Sequence, residues 1–141
     1  MGHQVLPAAE ARWRPSNAMG VLNTDLGRQL ESGTLAARLW RLAPGQASTR
    51  HRHDAQTELY VVLEGTGRMR AGEELLTLEP LSAVLVDPDT VRQVFNDTDA
   101  DALWLVAGAP PEPVSSTLEM TEQQLRRLYP AGLRALPPEL S

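Results

Sequence analysis

The chain has 141 residues and a formal net charge of -5, with 42% hydrophobic and only 4% aromatic residues. At roughly 100–200 residues per domain this is one domain, too short for a (β/α)8 barrel of about 250 residues, and its acidity speaks against a nucleic-acid partner. With no Cys, and all 13 basic residues Arg, thiol catalysis, thiolate metal sites, Schiff-base chemistry and a P-loop lysine are excluded.

Residues 1–34 hold no sustained period, because Pro7, Pro15, Gly20, Gly27 and Gly33 interrupt it. They read as an N-terminal arm with one or two short strands, draped over the domain or over a neighbouring subunit. Neither an apolar signal segment nor a run of the ~20 residues that spans a bilayer is present, so a cytoplasmic protein without a membrane partner is expected.

From Leu35 the pattern changes to short apolar runs. Strands are predicted at 35–42, 58–63, 67–70, 74–78, 83–86, 92–96 and 102–106. Pro44-Gly45, Gly65-Thr66-Gly67, Ala71-Gly72, Asp87-Pro88-Asp89 and Asn96-Asp97-Thr98-Asp99 punctuate them. Many short strands without crossover helices predict an all-β sandwich or barrel over residues 35–110. Trp40 and Trp104 fall inside strands and read as core. Residues 111–141 form a C-terminal tail. There Thr121 and Gln124 offer a capping box, Leu125 and Leu128 an apolar pair, and Pro130 a stop. One short helix is expected, packed on the barrel or at a subunit contact.

The chemistry concentrates between Gly45 and Gly65. His51 and His53 are two residues apart, so an extended backbone turns both rings to one face. Glu58 opens the next strand. Two imidazoles and a carboxylate suit a divalent first-row metal (Fe, Mn, Ni or Zn) with coordination positions left open. Arg50 and Arg52 flank the pair, and a solvated basic loop is the competing reading. Tyr60 shares the strand face of Glu58, and Gln56 could offer an amide to a ligand.

Gly45, His51, His53, Glu58 and Gly65 together resemble the first motif of the cupin superfamily: Gly, five residues, His-x-His, a short gap, Glu, six residues, Gly. The resemblance covers residues 35–110. It implies a double-stranded β-helix (a cupin jelly-roll barrel) with His51, His53 and Glu58 as three metal ligands inside it. A Tyr two residues after the ligand Glu acts as a base in some cupin lyases, so the resemblance makes Tyr60 a catalytic candidate, although wall packing is the commoner role.

The second cupin motif is degenerate. Pro88, Thr90 and Asn96 fit, but Asp87 and Asp89 replace Pro and Gly, and Leu81 stands where an earlier Gly would. Arg92 takes the place of the His that completes the metal site. Three arrangements are open to it. Arg92 clamps the acid group of a substrate, or it pairs with Glu58 where no metal binds, or it turns to solvent beside an intact three-ligand site. The expected function is accordingly a metal-dependent oxygenase, isomerase or lyase acting on a small carboxylate-bearing molecule. The alternative is a non-catalytic ligand-binding or sensing module in which Arg92 stands in for the metal. A homodimer is expected in either case, since exposed sheet edges need cover.

Overall fold

Alternation decides which side chains turn inward. Along Thr57–Glu64, Glu58, Tyr60 and Val62 are buried while Leu59 is exposed, the period of two that a strand with one wet face produces. The computed structural model describes residues 2–114 and 116–141. Among them the strands are β1 (Trp13–Pro15), β2 (Leu22–Asp25), β3 (Ala36–Leu42), β4 (Thr57–Glu64), β5 (Gly67–Ala71), β6 (Glu74–Leu78), β7 (Ala83–Val86), β8 (Arg92–Phe95) and β9 (Ala102–Ala109). They form an antiparallel sheet in the order β1-β2-β3-β9-β4-β7, facing a smaller one in the order β6-β5-β8. This is the expected jelly roll. No helix among the described residues is long and apolar enough to cross a membrane.

The inward residues meet in a core built from Leu42, Val62, Met69, Val86, Val94 and Trp104. Trp104 is fully buried and meets Tyr60 edge to face, with ring centroids 6.1 Å apart. Aliphatic side chains fill the remaining space, as the low aromatic content requires.

The arm folds onto its own barrel. Its two strands extend the large sheet past β3, and Asp25 at the end of β2 caps the short helix α1 (Leu26–Gln29) by accepting a hydrogen bond from the Arg28 backbone N–H. At the other end, helix α2 (Glu122–Leu128) begins with the anticipated capping box of Thr121 and Gln124 and buries Leu128. The last residues are fastened to the small sheet. Arg70 pairs with Glu139, and the Gln93 side chain donates to the Ala135 carbonyl at 2.9 Å.

Two turns need left-handed backbone. Gly65 has φ +75°, and a Cβ there would meet the Asp101 carbonyl oxygen. Leu81 has φ +73° and is exposed, so a side chain occupies a conformation that costs a non-glycine residue about 1–2 kcal/mol. Glycine would remove that strain, although its freer unfolded chain offsets part of the gain. Leu81→Gly is therefore expected to stabilise the fold by about 0.5–1 kcal/mol, read as a raised denaturant midpoint with unchanged slope. A lowered midpoint would show that the Leu81 side chain has a packing role that its exposure conceals.

Candidate metal centre

The segment after Gly45 runs beside β8 without joining it as a regular strand. Ser48 N–H donates to the Val94 carbonyl at 2.9 Å, and His51 and Arg92 exchange backbone hydrogen bonds at 3.0 and 2.8 Å. His53 N–H then donates to the Pro88 carbonyl at 2.7 Å. These bonds fix the backbone on which both imidazoles stand, with ring centroids 4.9 Å apart and planes nearly perpendicular. Glu58, the first inward position of β4, faces them. A nitrogen of His51, a nitrogen of His53 and a carboxylate oxygen of Glu58 all lie within 4.8 Å of one another.

The far nitrogens of the rings are occupied. His51 Nδ1 lies 3.0 Å from the Thr49 carbonyl oxygen, and His53 Nδ1 lies 3.3 Å from Glu112 Oε1. The Thr49 carbonyl can only accept, so in the neutral His51 ring Nδ1 carries the proton and Nε2 turns its lone pair to the centre, and the Glu112 carboxylate favours a proton on the same nitrogen of His53. His53 Nε2 is buried without a hydrogen-bond partner, yet it sits 3.2 Å from Glu58 Oε1. A bare lone pair held that close to a carboxylate oxygen is repulsive, so either a proton on Nε2 or a metal ion stands between them. The donor set fits a divalent metal.

Glu58 Oε1 also accepts a hydrogen bond from the Tyr60 hydroxyl at 2.8 Å. Burial opposes its ionisation, but where His51 and His53 carry protons on the nitrogens that face it, their hydrogen bonds and charge outweigh that and hold the carboxyl well below the usual range. Burial, reinforced by Glu58, pushes the Tyr60 phenol far up. Tyr60 is thus a proton-holding donor that orients Glu58, packed into the wall of the core.

Arg92 adopts an arrangement narrower than any of the three foreseen. Its side chain is completely buried, which removes the solvent-facing one. Its terminal nitrogens donate to the Pro88 and Asp87 carbonyls, both at 3.1 Å. The turn at 87–89 points these carbonyls inward, and the guanidinium satisfies them. No nitrogen is left exposed to clamp a substrate. Nε lies 3.6 Å from Glu58 Oε1, near enough for charge compensation but too long for a hydrogen bond.

The triad opens into a cavity of about 580 Å³ lined by both sheets, the arm and the C-terminal segments. Gln56 lines it too, although its amide is spent on the Pro110 carbonyl at 3.1 Å and its side chain packs over Gly108. Three wall residues escaped the sequence reading. Glu112, from the Pro-rich connector, steadies His53. Tyr129, one residue past α2, sets its ring 6.0 Å from that of His51, and burial raises its phenol pKa, with Glu58 adding to the effect. Arg38 lies on the inner face of β3. Its signal was available: within an apolar run it shares the parity of Trp40 and Leu42.

The family model described as Cupin domain matches residues 38–108. None of the curated proteins matches the sequence. Among solved structures, a sugar phosphate isomerase of the cupin superfamily from Silicibacter pomeroyi is 27% identical. It covers 77% of this chain and 76% of its own, with a TM-score of 0.70. The protein TT1209 of Thermus thermophilus is also 27% identical, covering 75% of this chain and 96% of its own, with a TM-score of 0.61. A predicted oxalate decarboxylase from Thermotoga maritima is 18% identical and shares the fold at a TM-score of 0.67, covering 77% of this chain and 100% of its own.

Proposed function

The chain belongs to the cupin domain family, and from that premise we propose that it holds a divalent first-row transition metal on His51, His53 and Glu58 and uses it to bind and act on a small anionic molecule. The observation that carries this reading is the convergence of three donor atoms within 4.8 Å at the floor of a cavity of about 580 Å³. Thr49 holds His51 in the ligand tautomer, and the Glu112 carboxylate stands 3.3 Å from the far nitrogen of His53. Three protein ligands leave coordination positions free for a guest.

Charge selects that guest. A divalent cation, the Glu58 and Glu112 carboxylates and the buried Arg92 leave the centre at about +1 in a medium of low dielectric, where the cation and the guanidinium repel strongly. An anion relieves this. When bound, the metal would supply Lewis acidity toward a carbonyl or hydroxyl oxygen. The chain does the rest. Tyr60 holds Glu58 in orientation, Glu112 holds His53, and Tyr129 stands beside His51 with a phenol at the cavity wall, placed to give or take a proton. Among oxygenase, isomerase and lyase chemistry, the similarity to a sugar phosphate isomerase supports proton transfer next to a carbonyl.

One observation favours a second reading. With Nε 3.6 Å from Glu58, Arg92 neutralises the carboxylate without any metal, which suits a binding module. Elemental analysis of untagged protein decides between them. Near-stoichiometric transition metal, removed by a chelator and restored by titration, is the expected result. Metal-free protein that cannot be reconstituted would overturn the metal reading and leave Arg92 in the cation's role.

A further inference from the structure

The inner face of the large sheet carries two charged stations. One is Glu58 with its histidines. The other is Arg38, which pairs in register with Val106, as Val106 does with Tyr60. Arg38 therefore stands two strands from the Glu58–Tyr60 pair, on the order of 10 Å across the sheet. Val106 and Gly108 form the wall between them, so no side-chain charge on β9 interrupts the span.

Arg38 is held in place before any guest arrives. One terminal nitrogen lies 3.0 Å from Asp25 Oδ2, another donates to Asn23 Oδ1 at 2.9 Å, and the guanidinium carbon lies 6.0 Å from the centre of the Trp40 ring. A guanidinium has five N–H groups, so donors remain. Arg14 and Arg28 line the same end of the cavity, both exposed. Neither guanidinium has a carboxylate within 4.0 Å among the described residues. Against Asp25, and even with Glu31 at the rim, three guanidiniums leave this end positive. Burial is the main cause that lowers the Arg38 pKa; Asp25 raises it, and Arg14 and Arg28 stand close enough to lower it again.

We propose that the Arg38 end is a second anion subsite, so that the ligand is two-ended: a chelating group at the metal, and a phosphate or carboxylate on Arg38 with Arg14 and Arg28 closing beside it. This rests on the metal reading above and deepens it. Asp25 and Asn23 fix the guanidinium, so little conformational entropy is lost when an anion docks, and a bidentate acceptor matches the planar fork.

Matched probes test it by calorimetry on the metal-loaded protein: 3-phosphoglycerate against glycerate, and malate against lactate. Within each pair the chelating hydroxy acid is the same and only the second anion differs. One two-ended member is expected to bind about tenfold or more tighter than its partner, and the pair that shows this identifies phosphate or carboxylate. Arg38→Gln should erase the advantage while leaving metal content and affinity for the one-ended probe unchanged. Should that variant fail to fold, Arg14→Gln and Arg28→Gln, both at exposed positions, are expected to lower the advantage severalfold each. Equal binding within both pairs, or an advantage that survives all three substitutions, overturns the subsite and leaves the metal reading standing. A protein that holds no metal overturns the metal reading instead. Phosphoglycerate binding that still depends on Arg38 would then support the subsite alone, and binding indifferent to Arg38 would overturn it too.

Discussion

Substituting alanine for His51 or His53 is expected to abolish the proposed metal binding and leave the protein folded. The two rings supply two of the three donors, and the third, Glu58, is a single carboxylate already engaged by the Tyr60 hydroxyl. Losing an outer partner of a ligand costs about 10–100-fold in metal affinity, and losing a ligand itself costs more. The fold does not need the imidazoles. His51 and His53 are held by backbone bonds to Arg92 and Pro88, which alanine also makes, and neither ring belongs to the apolar core. Competition titration against a chromophoric chelator, with a circular dichroism melt beside it, separates the two effects. Stoichiometric metal in both single variants would place the ligands elsewhere.

Those candidate ligands were legible because their geometry is local. A His-x-His pair on extended backbone shares a face, and Glu58 and Tyr60 share one for the same reason. The strands show this too: β6 and β7 occupy the predicted 74–78 and 83–86, since turn residues bound both. The helix α2 follows from Thr121 and Gln124 in the same way. What the sequence hid are contacts made across long separations. Gln56 N–H reaches Glu112 at 3.3 Å, Arg52 N–H reaches the Leu128 carbonyl at 2.9 Å, and these fold the C-terminal segments over the cavity. No periodicity announces that Glu112 steadies a ligand or that Tyr129 lands beside His51. Arg92 lies between the two cases. Its place at the position of the missing metal-site His was readable from the motif, but its direction depends on the carbonyls of a turn whose usual Pro and Gly are here Asp87 and Asp89.

That direction makes the consequence of losing Arg92 depend on metal. In metal-free protein its guanidinium is the permanent cation beside Glu58, and it caps two carbonyls that the turn has buried. Arg92→Ala leaves a buried carboxylate with histidines and a phenol for company and abandons both carbonyls, so a loss of about 3–5 kcal/mol is expected, as for other broken buried pairs. In metal-loaded protein the cation on Glu58 already compensates the carboxylate, and a neighbouring guanidinium repels it. There the substitution costs only the carbonyl hydrogen bonds and the packing of the stem. Denaturant unfolding of wild type and variant, each with and without metal, should therefore show the variant gaining more from metal than wild type does, and binding it more tightly by linkage. A destabilisation equal in both states would mean that Arg92 serves only the turn, and that Glu58 owes its ionisation to the histidines alone. A variant with unmoved midpoints would show that neither bond to the carbonyls contributes. The expected inequality ties the two readings of this barrel to one residue: the same positive charge that lets Glu58 stay buried without a metal sharpens the attraction of the loaded centre for an anion.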